Sequence, residues 1–184
     1  IGDSFKAAGY ATGMIGKWHN GALDPRFHPN SRGFDDFAGF RGGWADYYRW
    51  NLDRNGSFEK SDGRYLTDVL ADEAVTFIQR HKNEPFFLMV TWNAPHSPLQ
   101  APEQVTKKYV DAGFELGIAI IYAMIEVMDR GVGKIRQALD SAGIADDTLL
   151  MFTSDNGPAF THRDDQIPEG VSVDGRRFNC GFAG

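Results

Sequence analysis

The sequence is poor in cysteine, in positive charge and in long apolar runs. Its 184 residues include one cysteine, Cys180, so no internal disulfide can form. No histidine or other base lies beside Cys180 in the sequence, which does not favour a nucleophilic role. The formal net charge is -6 and no basic run is present, which argues against nucleic-acid binding through phosphate neutralisation. No apolar run reaches the ~18 residues that a membrane span needs.

An initiating methionine and a signal peptide are also missing. The chain opens on Ile1 and closes on Gly184 in an irregular polar stretch. We therefore expect residues 1–184 to be an interior part of a longer protein. The lack of a targeting segment then says nothing about compartment.

What is present is the composition and alternation of a folded α/β chain. Hydrophobic residues make up 42% and charged residues 24% of the sequence, as in soluble globular domains. Three-four apolar spacing and end signals predict helices over residues 2–8, 66–81, 102–110 and 118–142. Short apolar runs predict buried strands over residues 10–16, 86–92 and 148–153. Residues 17–61, rich in Gly, Pro and aromatic side chains, are predicted to form a long ordered loop.

This alternation predicts an α/β fold with a mainly parallel sheet flanked by helices. Ligands bind such sheets beyond the carboxyl ends of the strands. A polar cluster follows each of the three predicted strands. We therefore expect Lys17–His19, His96 and Asp155–Asn156 to converge at one end of the sheet.

The first cluster lies in the segment GYATGMIGKWH. Lys17 and His19 alternate across Trp18, so an extended backbone would point both side chains to the same side. A fixed ammonium beside a titratable imidazole suits a tetrahedral oxyanion. The alternative is a strand end with a solvated lysine and an unrelated histidine.

The second cluster lies in NAPHSP, where His96 stands between Pro95 and Pro98. The prolines restrict the backbone on both sides of the histidine. A rigidly held histidine after a buried strand suits a general acid or a ligand of an anionic group. A loop histidine satisfied by a backbone carbonyl is the alternative.

The third cluster lies in FTSDNGP. Asp155 and Asn156 offer adjacent oxygen donors, a chemistry that matches Ca²⁺ or Mg²⁺ better than Zn²⁺. Two protein donors are too few for Ca²⁺, so further ligands would have to come from elsewhere. The alternative is an ordinary Asp-Asn-Gly turn.

Five segments in order resemble the sulfatase family of the alkaline-phosphatase-like superfamily. They are GYATGMIGKWH, RGFDDFAGFRGGWADYY, NAPHSP, YAMIEVMDRGVGKIRQALDSAGIADDT and FTSDNGP, and together they span most of the chain. The RGFDDF and DYY segments look most like the arylsulfatase and hexosamine-sulfatase branch. The resemblance implies the sandwich fold of that superfamily, here in part, and hydrolysis of sulfate monoesters. It also implies a periplasmic, secreted or lysosomal compartment.

The resemblance also implies roles for individual residues. Lys17 and His19 match the residues that bind the sulfate and orient the formylglycine nucleophile. His96 matches the histidine that contacts the sulfate and helps to protonate the leaving alcohol. Asp155 and Asn156 match two ligands of a divalent cation, usually Ca²⁺. The substrate would be a sulfated small molecule or carbohydrate.

Two parts of the family pattern are absent from this sequence. It contains no Cys/Ser-x-Pro-x-Arg motif, from which the formylglycine is made, and it lacks the paired N-terminal aspartates that complete the cation site. Cys180 cannot substitute, because Gly181, Phe182 and Ala183 follow it. We expect the 184-residue chain alone to be inactive and to bind Ca²⁺ poorly.

Two other functions fit the same residues. A phosphatase or phosphonate monoester hydrolase of this superfamily would use a similar anionic transition state, so fold alone does not decide between them. The Asp-Asn pair at the cation site, in place of Asp-His, leans toward sulfate. A non-catalytic module that binds sulfated glycans is the other alternative, with the aromatic residues of 33–50 stacking on sugars.

Overall fold

The computed structural model describes residues 1–157 and 167–171, and His162 and Cys180 lie outside these ranges. Five strands form one sheet in the order β4-β3-β2-β1-β5. Their bounds are Ala11–Lys17 for β1, Asp36–Phe40 for β2, Asn51–Arg54 for β3, Ser57–Lys60 for β4 and Phe86–Thr91 for β5. β1 pairs in parallel with β2 and β5, whereas β3 is antiparallel to β2 and β4. The predicted α/β class is confirmed.

Four α-helices accompany the sheet, at Gly2–Ala7 (α1), Leu66–His81 (α2), Glu103–Asp111 (α3) and Leu116–Ala142 (α4). All four were predicted, with small differences at their ends. The apolar face predicted for α2 is buried, including Leu70 and Phe77. Helix α4 ends at Gly143, which adopts the left-handed conformation with φ of 71°.

The long helix α4 buries only part of the apolar face that its three-four spacing predicts: Ile121, Ile135 and Leu139 are buried. Tyr122 and Ile125, which follow the same three-four spacing and were therefore expected on that face, are exposed at 41% and 38%. Small residues instead bring α4 close to α2 and β5. A methyl group at Gly131 would come within 2.8 Å of the Trp92 ring and 3.3 Å of Ala71 Cβ. Close helix packing on a glycine is therefore what sets the rotation of α4.

The prediction of one long loop over residues 17–61 is wrong. This region contains β2, β3 and β4, together with two short 3₁₀ turns at Pro25–Phe27 and Pro29–Arg32. Buried aromatic side chains hold it against the sheet, and Tyr47, Trp50 and Phe34 are among the most deeply buried. The aromatic residues that argued for order are thus core residues of this layer.

The prediction of a buried strand over residues 148–153 is also wrong. Residues 149–153 belong to no helix or strand, and Leu149 and Met151 are 85% and 78% exposed. Strand β5 lies at the edge of the described sheet and is half-buried along its whole length, rather than covered on both faces. Two apolar segments therefore lack the neighbours that their composition favours.

The parallel pairing of β1 with β2 depends on two glycines that face each other. Gly16 and Gly39 are register partners, and Gly16 has a left-handed φ of 110°. A Cβ atom built at Gly39 would lie 1.9 Å from the backbone oxygen of Gly16. Backbone atoms cannot move aside as a flexible side chain can, so this position admits only glycine.

We predict that Gly39→Ala destabilises the protein by about 2–3 kcal/mol, because the added methyl must push two paired strands apart. Gly133→Ala is the matched control: Gly133 lies on α4, and its Cβ would meet nothing within 4 Å. That change should stabilise the helix by about 0.5–1 kcal/mol. Urea unfolding midpoints measure both effects, and a Gly39→Ala midpoint equal to that of the parent would contradict the packing described.

Candidate active site

The carboxyl ends of β5, β1 and β2 lie side by side. Gly16 is the register partner of Thr91, and Lys17 is the partner of Phe40. The Thr91 hydroxyl donates a 2.6 Å hydrogen bond to the Lys17 carbonyl, which ties the ends of β5 and β1 together. The segments that carry Lys17–His19, Arg41–Gly43 and Asn93–His96 therefore leave the sheet at the same end.

The Lys17–His19 segment is held by hydrogen bonds to both of its flanks. The Trp18 amide donates to the Phe40 carbonyl at 3.0 Å, and the Trp18 indole N–H donates to the Phe27 carbonyl at 2.7 Å. Strand β1 ends at Lys17, and His19 adopts a left-handed φ of 51°. The extended geometry that we assumed through His19 is therefore not present, and a turn sets the direction of this imidazole.

The His19 ring lies against the backbone of the loop that follows β2. A Cβ atom at Gly43 would lie 2.6 Å from His19 Nε2 and 2.7 Å from Cε1. Glycine at position 43 thus leaves room for the imidazole beside the sheet. The next residue, Trp44, is 58% exposed. An exposed indole consequently lies one residue from the contact with His19.

His96 is held in one tautomer by its own segment. Its Nδ1 lies 2.7 Å from the Ser97 carbonyl, and a carbonyl can only accept a hydrogen bond. Nδ1 therefore carries the proton, which leaves Nε2 to exchange a proton with a ligand. The His96 amide donates to the Asn93 carbonyl at 2.8 Å, closing a turn. The peptide bonds before Pro95 and Pro98 are both cis.

Asn93 brings an unusual polar group to the same region. It follows β5 and is 3% exposed. Neither its side-chain oxygen nor its nitrogen has a hydrogen-bond partner within the described part of the chain. Because buried amides are nearly always paired, Asn93 indicates that a polar neighbour belongs beside it.

A buried charge cluster beside this end of the sheet was not predicted. The Asp53 side chain is 1% exposed and lies 3.1 Å from Nε of Arg41 and 3.1 Å from Nε2 of His28. His28 Nδ1 accepts from the Asn30 amide, so Nε2 donates to the carboxylate. The cluster fixes the 25–30 loop to β3 and has a structural role. The cluster could not be predicted from a local motif, because Asp53 lies 25 positions after His28 in the sequence.

Three aspartates of the region 17–61 are held by polar partners. Asp35 accepts from Lys6 and Thr12, and Asp36 accepts from Arg80. The Lys6 ammonium, with a smaller contribution from Thr12, lowers the pKa of Asp35. The third, Asp46, joins the aromatic loop to the segment after His96. All three carboxylates are structural contacts rather than pocket lining.

Asp155 and Asn156 follow the exposed Leu149–Phe152 segment. The Ser154 hydroxyl donates to the Asn156 carbonyl at 2.8 Å, which shapes a local turn. Within residues 1–157 and 167–171, no group of three or more His, Cys, Asp or Glu side chains is arranged to hold a metal ion. The carboxylate and amide oxygens of Asp155 and Asn156 suit a hard cation, but two donors are too few to hold one. No strand of the described sheet places these two residues beside Lys17.

Comparison with known proteins identifies the family. A sulfatase family model matches residues 1–176. The uncharacterized sulfatase YdeN of Escherichia coli (strain K12) is 32% identical over 180 residues, covering 83% of this chain and 32% of that protein. Human N-acetylgalactosamine-6-sulfatase is 31% identical over 185 residues, covering 88% of this chain and 33% of that protein. The chain thus spans about a third of the length of these relatives.

Solved structures agree with this match. Ps i-CgsB, in a crystal structure with k-i-k-neocarrahexaose, aligns with a TM-score of 0.69 and 34% identity over 77% of this chain and 36% of that chain. The PsFucS1 sulfatase from Pseudoalteromonas sp. shares the fold, with a TM-score of 0.68 and 24% identity over 91% of this chain and 40% of that chain. The predicted alkaline-phosphatase-like class is confirmed. None of the described helices is long and apolar enough to cross a membrane.

The family match extends across the strand ends that carry Lys17, His19 and His96 and reaches past Asp155 and Asn156. The chain belongs to the sulfatase family.

Proposed function

We propose that this chain forms part of a sulfuric ester hydrolase that cleaves sulfate monoesters with the help of a divalent cation. The observation that carries the proposal is the pairing of β1 with β5, which brings the Lys17–His19 turn and the His96 segment to one end of the sheet. A fixed cation and two imidazoles at one place suit an anionic tetrahedral group. The family match supplies the choice of sulfate.

Lys17 and His19 would hold the sulfate. The Lys17 ammonium, next to a strand end whose carbonyl is tied to Thr91, would bind a sulfate oxygen and stabilise charge that develops there. The His19 imidazole is exposed and braced against Gly43, so it can reach a ligand without moving its ring. His19 would orient the nucleophile and the sulfate by hydrogen bonding.

His96 would act as the general acid in its doubly protonated form, giving up the proton on Nε2 and keeping the one on Nδ1. Because Nδ1 donates to the Ser97 carbonyl, proton transfer would occur at Nε2. A proton given to the leaving oxygen matters most when the departing alcohol is a poor leaving group, as a sugar alcohol is. The exposure of His96 leaves this nitrogen accessible to a substrate.

Asp155 and Asn156 would hold part of a cation site for Ca²⁺, with Mg²⁺ as the alternative. Their carboxylate and amide oxygens have the hardness that these ions prefer. Such an ion would add positive charge beside the sulfate oxygens. Because Ca²⁺ takes six to eight oxygens, the remaining ligands would come from outside the described residues.

We further propose that the chain works as part of a larger catalytic domain that supplies a formylglycine nucleophile. Three features of the described residues support this. Strand β5 is apolar and unpaired along one edge, Leu149–Phe152 is exposed, and the buried Asn93 amide lacks a partner. An additional strand beside β5 would cover apolar surface that is otherwise costly to expose.

A sulfated carbohydrate is the substrate class that we propose. Trp44 supports it, because its indole is 58% exposed one residue from the Gly43–His19 contact. Aromatic rings offer apolar faces on which sugar rings can stack. The relatives named above include a hexosamine sulfatase and a protein crystallised with a carrahexaose.

We predict that Lys17→Ala in the full-length gene product lowers kcat/KM for 4-nitrophenyl sulfate by about 10²–10³-fold, through loss of charge stabilisation. Lys60→Ala is the control, since Lys60 is exposed on β4, which forms the opposite edge of the sheet from β5. It should leave the rate unchanged. Assays with 4-nitrophenyl phosphate test the alternative chemistry, and faster phosphate than sulfate turnover would sink the sulfatase assignment.

We predict that the isolated 184-residue chain does not hydrolyse 4-nitrophenyl sulfate, because it contains no nucleophile motif. The same chain should bind Ca²⁺ weakly in calorimetry, since two oxygen donors are too few. The full-length gene product is the positive control for both measurements. Measurable turnover by the isolated chain would refute this account of the nucleophile.

We predict that Trp44→Ala raises KM for a sulfated oligosaccharide by about tenfold through loss of a stacking surface, with little change in kcat. Phe58→Ala is the control, since Phe58 is also exposed but lies on β4. Initial rates at varied substrate give both constants. Equal KM values for Trp44→Ala and the parent would exclude a stacking role.

A further inference from the structure

A hydrogen-bond network joins the aromatic loop at residues 41–50 to the segment that carries His96. Tyr47 is the central contact, with a side chain that is fully buried. Its hydroxyl donates to the His96 carbonyl at 2.9 Å, and its amide donates to Gln100 Oε1 at 2.8 Å. One residue thus holds two points of a segment that lies about fifty positions later in the sequence.

Gln100 and Asp46 extend the network and fix Tyr47 in turn. Gln100 Nε2 donates to Asp46 Oδ2 at 2.8 Å, and Asp46 Oδ1 accepts from the amides of Tyr48 and Arg49. Burial alone raises the pKa of Asp46, but the hydrogen bonds from Gln100 and the two amides outweigh it and lower that pKa. Asp46 therefore remains a charged acceptor that ties the loop together at neutral pH.

A second buried tyrosine completes the packing. The Tyr65 hydroxyl donates to the Gln100 carbonyl at 2.8 Å, and its ring stacks on Tyr47 with centroids 5.2 Å apart. Burial, with a smaller contribution from Tyr65, raises the pKa of Tyr47 well above its ordinary value. The Tyr47 phenol therefore stays protonated and can donate to His96 at any ordinary assay pH.

His96 needs such a support because its own surroundings are open. The imidazole is exposed, and its Nδ1 bonds to the carbonyl of the adjacent Ser97. That contact sets the tautomer but moves together with the segment. The Tyr47 hydroxyl instead attaches the His96 backbone to the core. A misplacement of a reacting group by about 1 Å can cost roughly a hundredfold in rate.

We propose that Tyr47 is a positioning residue for His96, and that Gln100 and Asp46 hold Tyr47 in the position from which it does so. The inference rests on the proposed function, in which His96 protonates the leaving oxygen. Tyr47 does not touch the substrate in this arrangement. It acts through the backbone of His96, so its effect should follow the need for a general acid.

The test is Tyr47→Phe in the full-length gene product, because this change removes the hydroxyl and keeps the stacked ring. Turnover is measured with phenyl sulfate and with 4-nitrophenyl sulfate, whose leaving group needs less protonation. We expect kcat for phenyl sulfate to fall by about tenfold or more, and kcat for 4-nitrophenyl sulfate by less than about threefold. An equal loss for both esters, or no loss, would overturn the proposal.

Two tyrosines of the same region are matched controls. Tyr48→Phe removes the neighbouring hydroxyl of the same loop, and Tyr65→Phe removes a buried hydroxyl that bonds to Gln100 rather than to His96. Neither should give a leaving-group-dependent loss as large as that of Tyr47→Phe. A loss of that kind and size from Tyr48→Phe would place the effect outside the described contact and refute the assignment.

A double-mutant cycle separates this inference from the proposed function. In a His96→Ala background, Tyr47→Phe should change kcat by less than about twofold, because the residue it positions is gone. A full Tyr47→Phe effect in that background would refute positioning while leaving the general acid intact. If His96→Ala alone spares phenyl sulfate turnover, the proposed role of His96 fails, and this inference fails with it.

A second variant covers the case in which Tyr47→Phe does not yield folded protein. Gln100→Glu has nearly the same shape but places a carboxylate against Asp46, which breaks the link between them. It should give the same leaving-group-dependent loss, because repulsion between the two carboxylates moves the side chain at position 100 away from the Tyr47 amide that it supports. A folded Gln100→Glu protein with parental rates on both esters would contradict the proposal.

Discussion

The structure depends on the parallel pairing of β1 with strands on both sides. This pairing buries Met14 and Ile15, and it places the ends of β5, β1 and β2 next to one another. Side chains of paired strands point above and below the sheet, but here the left-handed backbone of Gly16 places its carbonyl oxygen where a Cβ atom of residue 39 would lie, so Gly39 is required. The same pairing decides where Lys17 leaves the sheet. The register of β1 with β2 and β5 therefore also sets where the candidate site residues leave the sheet.

Local sequence pattern predicted the elements whose stability is largely local. The spacing of apolar residues in Leu66–His81 gave α2 with its observed bounds, and Gly143 marked the end of α4. The strands β2 to β4 escaped prediction because they are short and contain many charged residues. Their order comes from pairing and from buried aromatic side chains, and neither of these has a sequence period. Tertiary contacts outweighed the loop-like composition.

The candidate site could likewise be predicted only in part from the sequence. The motifs located Lys17, His19 and His96, because each follows a strand or a proline-bounded segment that can be recognised from the sequence. The contacts that hold these residues join positions far apart in the chain, such as Tyr47 with His96 and Thr91 with Lys17. A hydrogen bond between distant residues leaves no periodic signal in one sequence. The supporting network could therefore be found only in the structure.

Residues 148–153 were predicted to form a buried strand, and their failure to do so also has a physical cause. Leu149–Phe152 has the composition of a buried strand, yet a strand is stable only when its backbone groups pair with a neighbour. The described sheet provides no ladder for it, and the segment stays exposed. Lys17, His19 and His96 follow strands whose partners are present, so their surroundings are defined. Asp155 and Asn156 follow a segment that pairs with no strand of the described sheet. The pairing of β1 with β5 thus fixes the positions of Lys17 and His96, whereas no strand pairing fixes the positions of Asp155 and Asn156.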